Sequence, residues 1–471
     1  MSFRVLTAHK LALVLLLCIA ARLGVFVVFH STFAFDETGV IHGSAAYDSY
    51  ALNLLATGVY GKVSPGVPDA HLPPLYSYVL AGVYGIFGRS SLAVALLHIA
   101  LDCASLALLY HLCKRLFPHG EWVGTLAGVF YALYPYLIFQ NLTLIDTPLY
   151  VLLLYGFLLL MVILRQRPSL DRGTLEVAAL AGLALGLIAL VRPNALIVVP
   201  LVGVWFLFRR SLGQFLARLL PVALVSILVV VPWVMRNYSV YGAFVPFALN
   251  GGENFYQGNN EHTISYFSAG YDVQWVPPPD LPGVQAELGV ERNAALTQAG
   301  LDFLRENADV IPELLWTKFL VHWSIDIMPL RNPVPGDDPR INYQGDVSAG
   351  ADDEGGLSLG GLPSRDPVNE YSGETFETGR IVHRYYYGVL FLLALAGMVV
   401  SLSQWREVSL LWLIQTGMTV AYVLFHPSTR YRAPTDPLLF TFSAYLLIVL
   451  WAQLRRKRFI AQTSPTLGGL R

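Results

Sequence analysis

Stretches of predominantly apolar residues recur along the whole chain, broken by short polar turns. A membrane-spanning helix needs roughly 20 apolar residues, with about 17 to 25 tolerated. Ten segments reach or approach that length, at about 11–30, 91–113, 122–139, 147–164, 175–191, 194–208, 217–235, 383–403, 407–425 and 434–453. The pattern predicts an all-α polytopic membrane protein with about ten transmembrane helices, of which 194–208 is the shortest. Arg4 and Lys10 precede the first apolar core as they would in a signal peptide. The run continues past Arg22 to Phe29, longer than a signal core, so it reads as a retained helix.

Two long stretches do not span. The first, 31–90, opens on the acidic pair Asp36-Glu37 and continues as a helix-like stretch from Ser44 to Thr57. A Gly/Pro turn region follows, and then a short apolar stretch from Pro73 to Phe87. That stretch is too short to cross a bilayer and is expected to lie in the interface. The second, 236–382, holds the proline-rich Trp275–Pro282, an amphipathic stretch from Pro312 to Met328, and a Gly-rich patch from Gly336 to Glu377. In the patch ten acids face only Arg340 and Arg365, the composition of a solvated loop. The chain therefore divides into an N-terminal transmembrane module (1–235), a large loop (236–382), and C-terminal helices with a basic tail (383–471).

Composition agrees. Hydrophobic residues make up 55% of the 471 positions and charged residues 13%, against about 25% charged in a soluble protein. The mean hydropathy is +0.53. A formal net charge of −1 leaves no basic footprint for nucleic acid. Three cysteines (Cys18, Cys103, Cys113) exclude a disulfide scaffold or a four-cysteine zinc site. An even number of spans puts both termini on one side. With that side cytoplasmic, 16 of the 31 Lys and Arg residues fall in short inner segments, as the positive-inside rule requires. The two long loops are then extracytoplasmic.

On this topology the conspicuous polar residues gather at the outer interface. They are Asp36 and Glu37, Asp48 followed by Tyr50, Asp146 at the head of the fourth span, and Arg192-Pro-Asn194. Arg236-Asn-Tyr238, Gly258-Asn-Asn260 and Arg430-Tyr-Arg432 complete the set. Singly, each can be a helix-end anchor; together they put acids and arginines on one face. Arginines there can neutralise a phosphate whose charge grows as its bond breaks, and a carboxylate can take the proton of an attacking hydroxyl. Within the bilayer, His98 and Asp102 form an i,i+4 pair on one face of the second span, Arg22 lies within the first, and an Arg22–Asp102 ion pair is expected to lock the two spans together. Gly182-xxx-Gly186 reads as close helix packing. Two rival classes share this topology: a flippase or transporter of lipid-linked sugars, and a non-catalytic membrane partner. Short, plain inner loops argue against a transporter, which needs ionisable groups towards the midplane.

Several stretches together resemble the bacterial integral-membrane glycosyltransferases of the GT-C fold, the broad group that includes protein O-mannosyltransferases and the lipid A aminoarabinose transferase. The matching pieces are Phe35-Asp-Glu-Thr38, Tyr47-Asp-Ser-Tyr-Ala-Leu-Asn-Leu-Leu55, Pro73-Pro-Leu-Tyr76 leading to Phe87-Gly88, Ile145-Asp-Thr147 and Leu190-Val-Arg-Pro193. Pro232-Trp-Val-Met-Arg-Asn-Tyr238, Gly258-Asn-Asn260 and Arg430-Tyr-Arg-Ala-Pro434 follow in order. The resemblance implies an inverting transfer from a polyprenyl-monophosphate sugar to an acceptor protein, lipid or glycan. It implies an aspartate of the first outer loop as base, for which Asp36 and Asp48 both qualify, with Asp146 near the same pocket. It implies Arg236, Arg430 and Tyr431 at the donor phosphate, and Glu37, Tyr76, Arg192, Asn259 and Arg432 around them. Many relatives carry Lys or Arg before Pro-Pro-Leu-Tyr, where it helps hold the donor phosphate; here Leu72 stands there, preceded by His71, so either His71 substitutes at the donor phosphate or the arginines carry more of the task. No cofactor is required on this reading, and a divalent ion held by Asp36, Glu37 and Asp146 is the alternative to neutralisation by arginine.

Overall fold

The computed structural model describes residues 3–35, 43–62, 64–284, 289–330 and 374–463. Asp36, Glu37 and most of the Gly-rich acidic patch lie outside them. The regular secondary structure of the described residues is helical, apart from one isolated bridge between Gly43 and Leu144. We number the helices α1 (Phe3–Val28), α2 (Ala45–Thr57), α3 (Leu75–Phe87), α4 (Ser91–Leu116), α5 (Gly120–Ala132), α6 (Pro135–Leu142), α7 (Thr147–Gln166), α8 (Arg172–Ala189), α9 (Val198–Leu207) and α10 (Leu212–Tyr241). The large loop contributes α11 (Gly251–Gly258), α12 (Thr263–Ala269), α13 (Val290–Glu306) and α14 (Ile311–His322). The chain then closes with α15 (Glu374–Val400), α16 (Trp405–Leu424) and α17 (Asp436–Thr463).

Each of the ten expected segments falls on helix, yet seven helices among the described residues are long and apolar enough to cross a membrane, or eight with one bent pair. Three physical reasons account for the difference. Pro135 cannot continue α5, so α5 and α6 form a broken segment bent by 58°. The Pro193–Leu207 segment is short. Finally, α15 and α16 run on through a single 3-10 turn, Ser401–Gln404. As expected, α2 and α3 are short helices of the first loop, packed on each other.

Buried ion pairs tie the bundle. Arg22 Nε donates to Asp102, and Arg22 Nη1 reaches the Ala132 carbonyl at 3.1 Å. Asp102 Oδ1 also accepts from Tyr131 OH and Asn141 Nδ2, both at 2.7 Å. The sequence-expected pair thus joins α1 and α4 and extends to α5 and α6. All of these groups are shielded from solvent, so removing one partner would strand a charge in a low-dielectric interior. Gly182 and Gly186 let α8 press on α10: a Cβ there would meet the Val222 carbonyl oxygen at 2.5 Å and Val229 Cβ at 2.6 Å. At one end of the bundle Lys10 Nζ lies 3.2 Å over the Trp122 ring, and Trp122 meets Trp451 at 6.0 Å. The start of α1 and the far part of α17 therefore share that end.

Candidate active site at one membrane boundary

At the opposite end, five segments distant in sequence come together. Asp146 ends the turn before α7, where Pro148 occupies an early helical position that needs no backbone donor. Its carboxylate receives Arg192 Nε and Nη2, each at 2.6 Å, and Arg192 Nη2 also reaches Thr147 Oγ1 at 2.7 Å. The two side chains are 4% and 8% exposed, making a bidentate pair in a dry setting. The Arg192 guanidinium lies 4.9 Å over the Tyr150 ring, and its Nη1 has no hydrogen-bond partner among the described residues.

The first loop is fixed to this turn by backbone. Gly43 bridges Leu144, and Ser44 N–H donates to the Leu144 carbonyl at 2.9 Å. A Cβ at Gly43 would sit 2.4 Å from that oxygen, and its φ of 110° is one that side-chain-bearing residues rarely adopt. Tyr47, one turn into α2, is thereby brought towards Asp146, Arg192, Arg430 and Tyr431, all of which act on it electrostatically. Burial first, then Asp146, raises its phenol pKa well above the ordinary value. Behind it, Tyr76 packs edge-on at 4.9 Å and hydrogen-bonds His98 Nε2 at 2.9 Å, while His98 Nδ1 meets the Asn141 carbonyl at 2.8 Å.

Arg430 is the outstanding group. It is half-buried, its Nε is enclosed without a partner, and its guanidinium makes no hydrogen bond to any described residue. Its guanidinium lies 5.9 Å from the ring of Tyr431. Burial works against its charge, but Tyr431 and Asp146 more than offset this and raise its pKa. Tyr431 stacks on Tyr422 at 5.0 Å and accepts a hydrogen bond from Gln274 Nε2 at 3.1 Å.

The large loop sets this segment in place. A Cβ at Gly258 would come 1.8 Å from the Phe425 carbonyl oxygen, so only glycine permits the approach. Asn259 Nδ2 donates to the Leu424 carbonyl at 3.0 Å, and Thr429 N–H to that of Met328 at 2.7 Å. Asn259 Oδ1 accepts from Lys318 Nζ at 2.8 Å. Lys318 has no exposed surface, and burial pushes its pKa down to about 7. His426, 3.3 Å from Asn254 Oδ1, is held near pKa 3 by burial and by the charges of Lys318 and Arg430.

Other sequence candidates fall elsewhere. Asp48 packs α2 against α3, accepting from Tyr84 OH at 2.7 Å and from Arg89 Nε at 3.1 Å. Arg236 spends its donors on the carbonyls of Tyr60 and Asp69, both at 2.7 Å, and braces the first loop. His71 faces Glu253 at 3.7 Å on that same flank; burial first, then Lys62 and Arg292, keeps it neutral. Arg432 is fully buried, paired with Asp436 at 3.2 Å and donating to the carbonyls of His322 and Ser324. It anchors α14 to α17. Asp36 and Glu37 lie outside the described residues, and among those residues no three metal-binding side chains cluster. Sequence reasoning passed over Tyr47 as a site residue and missed Lys318 and His426. Leu314, Lys318 and Val321 recur at helical spacing, which was the available signal that Lys318 lies on a buried face.

With this geometry in place, comparison with known proteins is informative. No curated protein matches the chain. Among solved structures, the archaeal oligosaccharyltransferase AglB from Archaeoglobus fulgidus, in complex with an inhibitory peptide and a dolichol-phosphate, aligns with TM-score 0.56 and 14% identity. The alignment covers 100% of this chain and 53% of that one. The apo form of the Archaeoglobus fulgidus oligosaccharyltransferase gives 0.54 and 14%, over 99% and 53%. ArnT from Cupriavidus metallidurans bound to undecaprenyl phosphate gives 0.43 and 12%, over 95% and 77%. The chain spans about half the length of the oligosaccharyltransferases it matches. Residues 71–235 match the family model for dolichyl-phosphate-mannose-protein mannosyltransferases. The chain thus has a GT-C-type fold, and its residues 71–235 are similar to the mannosyltransferase family model.

Proposed function

We propose that the protein transfers a sugar from a polyprenyl-phosphate donor to an acceptor hydroxyl at the extracytoplasmic membrane face, with inversion. The observation that carries this reading is Arg430: a charged guanidinium with no described hydrogen-bond partner, beside Tyr431 and the Asp146–Arg192 pair. A cation left without an anion in a half-buried setting is suited to one that arrives with the substrate. The shared fold with an oligosaccharyltransferase solved with a dolichol-phosphate is in keeping with it.

In the proposed reaction the acceptor oxygen attacks the anomeric carbon as its proton passes to a carboxylate. The bond from that carbon to the phosphate oxygen breaks, and the electron pair leaves with the phosphate. Arg430 and the free Nη1 of Arg192 neutralise the charge that develops there. Asp48 and Asp146 are already held by arginines, which leaves Asp36 as the sequence candidate for the base. Orientation follows from the basic inner segments, with both termini cytoplasmic.

Purified protein incubated with labelled polyprenyl-phosphate sugars and cell-envelope fractions tests the proposal. Label should move from one donor to an acceptor in the wild type and fail to move with Arg430→Gln. If every donor stays intact while the protein carries lipid-linked sugar across vesicle bilayers, it is a transporter and the proposal fails.

A further inference from the structure

At the end of the bundle opposite the candidate site, a cavity of about 330 Å³ is lined by Arg165, Gln166, Arg209, Arg210 and Glu407. That volume lies at the lower end of the range for ligand pockets. Its charge is unbalanced. Glu407 is the single acid of the lining; it pairs with Arg209 at 2.5 Å and with Arg165 at 3.4 Å. Arg210 donates only to the carbonyls of Arg165 and Arg167, which accept hydrogen bonds without cancelling charge. Arg165 has 2% of its side chain exposed, its Nη atoms on the Arg406 carbonyl and its Nε without a partner among the described residues. Two positive charges are thus left over around an open space.

The surroundings say where that space lies. Arg165 and Gln166 end α7, whose 20 residues put the cavity about 30 Å from Asp146. Trp405 is 41% exposed and packs on Phe208 at 5.2 Å, just before Arg209. A half-exposed tryptophan beside arginines at a helix end marks headgroup depth.

We propose that this cavity binds the phosphate headgroup of an anionic membrane lipid in the leaflet away from the candidate site. The partner is recognised by charge and depth: a phosphate carried on acyl chains reaches the arginines from the bilayer, while a zwitterionic headgroup brings an opposing cation. The assignment is independent of the transferase reading.

The test is to reconstitute the full chain in phosphatidylcholine bilayers with and without phosphatidylglycerol, extract it, and count retained lipids by mass spectrometry. Phosphatidylglycerol should be enriched over phosphatidylcholine. Arg209→Gln should reduce the enrichment about fivefold, from about 1 kcal/mol per interfacial basic residue. Arg209 is 54% exposed and pairs only with Glu407, so this variant should fold. Glu407→Gln removes the competing acid and should raise the enrichment. Equal retention of both lipids, or enrichment unchanged in both variants, would overturn the proposal. So would displacement of the retained phosphatidylglycerol by inorganic phosphate at equal concentration, which would make the cavity a site for free anions.

Discussion

Replacing Asp146 by Asn separates the structural part of the candidate site from its chemistry. Both carboxylate oxygens receive Arg192, each at 2.6 Å, and neither side chain is more than 8% exposed. An asparagine keeps one acceptor but turns an amide donor towards a guanidinium that only donates. The buried charge then loses its partner, which typically costs about 3–5 kcal/mol. Thr147 Oγ1 and the Tyr150 ring still hold Arg192, so the lower end, about 3 kcal/mol, is expected. At no more than about 2 °C per kcal/mol for a chain of this size, Tm should fall by several degrees. Tryptophan fluorescence during heating in detergent reads this directly. The double variant Asp146→Leu with Arg192→Met removes both charges and should recover most of the lost stability, yet transfer no sugar. A wild-type Tm in Asp146→Asn would refute the pairing, and full transfer by the double variant would refute its place in the reaction.

Arg430→Gln should leave Tm near wild type, since no described hydrogen bond is lost, while turnover falls about 10²- to 10³-fold, as for loss of one charge-stabilising donor; a drop in Tm matching that of Asp146→Asn would show that Arg430 is structural. Lys318 binds a proton less readily in the fold, with a pKa of about 7, than in the unfolded chain, near 10.4. Between those values the unfolded state holds more protons, so this group makes stability rise with pH above about 7 and leaves it level below. The Tm difference between wild type and Lys318→Met should therefore shift in favour of wild type from pH 7 to pH 9, and a constant difference would contradict it. Gly258→Ala would force a Cβ to within 1.8 Å of the Phe425 carbonyl oxygen, so it should misplace Arg430 and abolish transfer even in protein that still elutes as a single species. Arg236→Gln gives up charged hydrogen bonds to two first-loop carbonyls and should lower stability by about 2–3 kcal/mol, seen as earlier proteolysis around 60–69.

What the sequence disclosed follows the reach of each signal. Apolar runs located the helices because lipid imposes one requirement on every span. The Arg22–Asp102 pair was legible because an ionisable group in lipid must find another, and few were on offer. The break at Leu133-Tyr134 lay inside a run that looked uniform, with Pro135 as its only mark. Pairings at the boundary were hidden. Asp48 and Asp146 both read as unclaimed carboxylates, because Arg89 and Arg192 meet them only after the loops fold back over some 40 residues of chain. Arg236 and Arg432 look like twins of Arg430 in the sequence, and the carbonyls they cap, with Asp436 beside Arg432, tell them apart.

The line of buried contacts from Arg22 through Asp102 and Asn141 to His98 and Tyr76 has a practical corollary for mutational scanning. It starts on the first helix and stops against the ring of Tyr47. A survey of inactivating substitutions would therefore draw a stripe down the interior instead of a patch at the surface. Its farthest hits would lie on the first helix, away from the cluster of Asp146, Arg192 and Arg430.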